Sequence, residues 1–214
     1  MSRSSLSLLL ALSLGAACAP GSEAPPEAPR APRIVQPGAP GEETRVLSAD
    51  DLAALPGVSF TEADVRFMAG MIPHHAQALE MVDLMEGRTS NEQMLSLGER
   101  ITISQEDEIG SMRAWLTTRG EEPPAGGHDH MAMMPGMLSP EQMEELAAAQ
   151  GQEFDVLFLR YMIQHHEGAL LMVRELMASP GAAQESEVFA FASDVEADQQ
   201  MEIERMSAML RELE

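Results

Sequence analysis

The sequence predicts an all-α fold, a four-helix bundle made of two repeated helical hairpins. Three observations lead there. First, the pattern M-I-x-H-H-x-x-A-L-x-M-V occurs twice, at Met71–Val82 and at Met162–Val173, with a constant offset of 91 (74 to 165, 75 to 166). Upstream, Asp64 and Phe67 map onto Asp155 and Phe158 at the same offset, so the match is an internal repeat. Second, Phe67, Met71, His74, Ala78, Met81 and Met85 are spaced 4, 3, 4, 3, 4, and Phe158, Met162, His165, Ala169, Met172 and Leu176 repeat that spacing. This is one face of a helix. Third, 4% aromatic residues, 18 methionines and no useful run of alternating polarity suit helices better than sheet. One hairpin cannot cover its own apolar faces, whereas two can.

The elements follow in order. Residues 1–17 read as an export signal: Arg3 gives a positive start, and Leu6 to Leu14 is an apolar run too short for a mature membrane anchor. Gly15-Ala16-Ala17-Cys18 resembles a bacterial lipobox, which implies cleavage before Cys18 and lipid on its sulfur; ordinary cleavage and a free, soluble protein is the alternative. Cys18 is the only cysteine, so the mature fold has no disulfide and no thiolate metal site. Residues 18–47 are rich in Pro, Gly, Ala and Glu and read as a disordered tether. The bundle domain spans 48–214, as a hairpin at 61–119, a linker at 120–138 and a hairpin at 139–214.

Thr61 is the expected N-cap of the first long helix, with Asp64 closing a capping box. Gly87 can stop that helix. Pro73 lies inside it and removes the donor for the Ala69 carbonyl, which predicts a local kink. The second helix should run from about Ser90 to Thr118, before Gly120 and Pro123-Pro124. Ser139-Pro140-Glu141-Gln142 reads as another helix start, with Pro at the first position. The third long helix should cover about Gln152 to Ala178 and the fourth about Ala183 to Leu213. Between the second and fourth helices the repeat returns as Q-x-x-E-I-x-x-M, now at an offset of 94 (105 to 199, 112 to 206).

Charge excludes one class of partner. With 13 Lys+Arg against 35 Asp+Glu, the net charge is −22. A nucleic-acid binder needs a basic footprint, which this chain lacks.

The chemistry rests on the histidine pairs. Residues three and four apart share a helix face. Met71, His74, His75 and Met81 therefore place two imidazoles among thioethers, and Met162, His165, His166 and Met172 do the same on the second hairpin. Gln105, Glu108 and Met112, and their counterparts Gln199, Glu202 and Met206, lie on stripes otherwise apolar. They are candidate co-ligands, or outer partners that fix the histidine tautomers. Imidazole with thioether and no thiolate suits Cu(I), and imidazole also accommodates Cu(II). Zinc more often recruits cysteine or carboxylate. In the linker, His128, His130, Met131, Met133, Met134 and Met137 offer an accessory donor set of the same kind. Methionine stripes are also common core filler, and a buried histidine is often only a hydrogen-bonded core residue.

The stretch F-x-x-x-M-I-x-H-H-x-x-A-x-x-M, at Phe67–Met81 and again at Phe158–Met172, resembles the hallmark of the family known as domain of unknown function 305 (DUF305). The resemblance implies a ferritin-like four-helix bundle. It further implies copper binding, seen in some exported members, at His74, His75, His165 and His166 with Met71, Met81, Met162 and Met172 beside them. The linker methionines are not part of the hallmark.

Three functions follow as expectations. The first is an exported protein, periplasmic or tethered to the cell envelope, that binds copper without catalysis and either sequesters it, as in copper resistance, or passes it to an accepting protein. The second is a metal-free interaction module with the histidines as a buried polar network. The third is a ferritin-like metallo-oxidase. Such sites use Glu-x-x-His, and no glutamate here lies three residues before a histidine.

Overall fold

The computed structural model describes residues 34–48, 50–51, 59–124 and 134–213. The signal, Cys18, His128, His130, Met131 and Met133 lie outside the described residues. The chain divides into two units, Met1–Pro56 and Gly57–Glu214.

In the first unit, Val35–Gln36 (β1) and Arg45–Val46 (β2) form an antiparallel pair with Val35 opposite Val46. The sequence reading expected no order there. The ladder is two exposed residues per strand, too short for any alternation to show. Asp51 is tied to the same unit: it accepts from the Ser48 amide at 2.9 Å and pairs with Arg45 at 2.5 Å.

The second unit is helical: α1 (Glu62–Asp83), α2 (Glu92–Thr118), α3 (Pro140–Ala148), α4 (Gln152–Ala178) and α5 (Ser186–Leu213). The Thr61 and Asp64 capping box forms, as does that of Ser139 and Gln142 with Pro140 at the first position. The second helix begins after Asn91, whose side chain accepts from the Gln93 amide at 3.0 Å. Gly87, at φ 74°, follows the end of α1. Pro73 is accommodated within a helix that stays continuous from Glu62 to Asp83. Helices α1/α2 and α4/α5 form two hairpins, and α1 meets α4 between them. The short α3 packs on α4. This is the ferritin-like four-helix bundle, with one extra helix of about two and a half turns, Pro140–Ala148, ahead of α4.

Two apolar clusters fill the bundle. One contains Phe67, Met71, Met112, Trp115, Ala169 and Val195. The other contains Met81, Ile101, Phe158, Met162 and Met206. Each long helix runs from one cluster to the other. The residues it carries between them are polar: His74 and His75, Gln105 and Glu108, His165 and His166, Gln199 and Glu202. A polar layer therefore crosses the middle of an apolar core. No helix among the described residues is long and apolar enough to cross a membrane.

Candidate metal centre

All four imidazoles are at most 1% exposed. The rings of His74 and His165 meet across α1 and α4 with centroids 3.9 Å apart, tilted by 40°. His75 and His166 flank them, at 6.3 Å from His74 and 6.2 Å from His165.

Three of the four rings give away the same nitrogen. His74 Nε2 donates to the Pro135 carbonyl at 3.0 Å. His75 Nε2 donates to Glu108, and His166 Nε2 donates to Glu202 Oε2 at 2.6 Å. A carbonyl or an ionised carboxylate can only accept. The proton is thereby assigned to Nε2, and Nδ1 carries the lone pair. Those three Nδ1 atoms, and both nitrogens of His165, are buried without a hydrogen-bond partner. Leaving a buried polar atom unsatisfied costs about 1–3 kcal/mol, so the layer holds lone pairs that would be stabilised by a Lewis acid.

Burial keeps the His74 and His165 rings neutral, the form that ligates. Burial, followed by the charges of His75 and His166, lowers the His74 pKa to about 3 against the opposing pull of Pro135. His165 is held well below its ordinary value by burial, and next by the charges of the other three rings. Behind the outer pair, carboxylates crowd between α2 and α5. The Asp198 pKa is raised by burial and then by Glu108, Glu202 and Asp194. That negative field attracts cations.

The other expected residues fall in distinct places. Met71, Met81, Met112, Met162 and Met206 are fully buried and distributed over both sides of the layer. Met172 instead sits half-buried at the surface. Of the Gln/Glu pairs, the glutamates reach the histidines, while Gln105 Oε1 has no partner. Met134 is half-buried and Met137 buried. Among the described residues, no three His, Cys, Asp or Glu side chains already enclose a metal position. A metal held here would draw on thioethers as well as imidazoles.

A strap that no periodicity announces crosses the layer. Residues Met134–Leu138 fold back across α1 and α4. Gln77 binds both polar groups of Leu138, donating to its carbonyl at 3.1 Å and accepting from its amide at 2.8 Å. Gln164 donates to the Gly136 carbonyl at 3.3 Å. Gly136, at φ 77°, lies against Gly168 so closely that a Cβ on either would overlap the other's backbone. Glycine in the middle of α4, inside the second copy of the motif, is the one local sign of this close approach.

Residues 64–210 match the family described as domain of unknown function (DUF305). A DUF305 protein of Streptomyces coelicolor, assigned as secreted, superposes with a TM-score of 0.63 at 28% identity, covering 71% of this chain and 93% of that one. CopM in its Cu(II)-bound form superposes with a TM-score of 0.60 at 28% identity, covering 71% and 97%. CopM has also been solved with Cu(I) and with silver. Uncharacterized protein L153 of Acanthamoeba polyphaga mimivirus is 38% identical over 56 residues, which is 26% of this chain and 37% of the viral protein.

Proposed function

The chain belongs to the DUF305 family, and from that premise we propose that it is an exported copper-binding protein that holds or passes on the metal without turnover. The observation that carries this reading is the set of orphaned imidazole nitrogens. His74, His75 and His166 have each committed Nε2 elsewhere, so Nδ1 is the donor left for metal; His165 has either nitrogen free for it. Met71, Met81 and Met162 are the thioethers next to them in sequence on the same helices. This donor set fits Cu(I), and its imidazoles fit Cu(II). CopM, of the same fold, binds both. Glu108 and Glu202 act as outer partners that orient the rings. Each is spent on a histidine, which leaves little carboxylate for a di-metal oxidase centre. Export is supported by the N-terminal signal pattern and by the secreted assignment of the Streptomyces neighbour. Lipid on Cys18 completes the reading, with an envelope protein as copper acceptor.

The test is a titration of the full chain with Cu(I) against a chromogenic chelator, and separately with Cu(II). Replacing His74, His75, His165 and His166 together by Ala should abolish tight binding. A chain that stays empty in excess Cu(I), or a fourfold variant that binds as well as the parent, overturns the proposal.

A further inference from the structure

Met134 and Met172 come from different parts of the chain and reach the same point. A methyl group placed on Gly70 would touch Met172 Cε at 3.6 Å and Met134 Sδ at 3.8 Å. The absent side chain at Gly70 leaves a cradle, floored by α1, walled by α4 and roofed by the strap. Both methionines are half-buried, unlike Met71, Met81 and Met162, which are sealed in the core. Met172 also lines an open groove of about 340 Å³ shared with Arg66 and Glu175. An ion arriving from solvent meets these two sulfur-bearing side chains before any buried one. The strap is fixed at several points, by Gln77, by Gln164 and by the Gly136–Gly168 contact. Met134 is therefore held in place rather than trailing. The next residue, Pro135, supplies the carbonyl that positions His74.

We infer that Met134 and Met172 form a surface docking site for a soft monovalent cation, Cu(I) or Ag(I), in the cradle above Gly70. Two thioethers are soft donors that discriminate against the hard cations abundant outside a cell. The acidic surface gathers cations without selecting among them, and the thioether pair selects. Because Met134 adjoins the residue bonded to His74, the docked ion lies next to the histidine layer. That destination rests on the copper reading above; the surface site itself does not.

Silver nitrate in chloride-free buffer is the probe, since it stays monovalent. The full chain carries methyl-labelled methionine and ring-labelled histidine, and is followed by NMR as silver is added. The Met134 and Met172 methyl signals should shift from the first additions. Met134→Leu and Met172→Leu, which keep the volume, should each weaken the first silver equivalent by at least about tenfold, since losing a ligand costs no less than losing one of its outer partners. Methyl signals that stay fixed at saturation, or variants with unchanged first affinity, overturn the surface site. If the histidine signals move while these methyls do not, the surface site is wrong and the copper reading stands. If the methyls move and the histidines do not, the surface site stands and the histidine reading fails. Silence in both ends both.

Discussion

Asp64 Oδ1 accepts the backbone amide of Ala183 at 2.7 Å, joining the start of α1 to the turn between α4 and α5. The other oxygen, Oδ2, takes the Thr61 amide at 2.7 Å in the capping box. One fully buried carboxylate thus caps its own hairpin and ties down the other. Ala183 has φ 52°, a left-handed conformation that costs a non-glycine residue about 1–2 kcal/mol, and the bond to Asp64 holds it there. Asp64→Ala loses the cap and orphans a buried amide. It should destabilise the fold by about 2–4 kcal/mol, read by urea denaturation. Asp64→Asn should cost less.

The glutamates behind the histidines give a second expectation. Glu202→Gln removes the charge that favours Nε2–H on His166, while keeping the side chain's size. Copper affinity should fall about 10- to 100-fold with an unchanged circular dichroism spectrum. Glu108→Gln should act alike through His75. Competition titrations of both variants check this, and full parental affinity in both would remove the glutamates from the site.

Acid should loosen the metal-free protein. The His74 pKa lies near 3 in the fold and near 6.5 when unfolded, so between those values the unfolded chain binds more protons. Stability is then fully present above about pH 6.5 and is lost as pH falls toward 3, on the order of 5 kcal/mol from this ring. His165 moves in the same direction. Melting temperatures measured from pH 7 to pH 4 should drop, and His74→Gln should flatten that slope. A parallel slope in the variant would refute the assignment.

Gly168 should not tolerate a side chain. An added methyl would run into the Pro135 carbonyl and lie 2.6 Å from Gly136 Cα, and backbone cannot yield as a side chain does. In an isolated helix Gly168→Ala would add about 1 kcal/mol of stability. Here it should instead cost about 1–3 kcal/mol through overpacking and lift the strap. Hydrogen exchange at the Leu138 amide, now held by Gln77, should accelerate in the variant.

These residues also show what could be read without coordinates. Thr61 with Asp64, and Ser139 with Pro140 and Gln142, announced their helices because caps are local. The histidine faces were visible because a 3.6-residue period is local too. Glu108 and Glu202 were legible as histidine partners, since charge on an apolar stripe needs a reason. The strap was not. Gln77 meets Leu138 across 61 residues of sequence, and nothing near either one names the other. Met172 looked like a core ligand because it keeps the stripe's spacing, yet it sits at the rim, beside Gly70. Its surroundings are set by the linker, whose path no periodicity encodes. The β1–β2 pair was hidden for the opposite reason, being too short to have a pattern.

The polar layer has a consequence for how the two hairpins find each other. Methionine is flexible enough to fit many neighbours, so stripes built from it would pack nearly as well if one hairpin slid by a turn. An imidazole pushed against Phe67 or Phe158 would not be tolerated, and neither would a glutamate parted from its histidine. In this bundle the least apolar rung of the core works as an alignment mark, forcing a permissive interior into a single register.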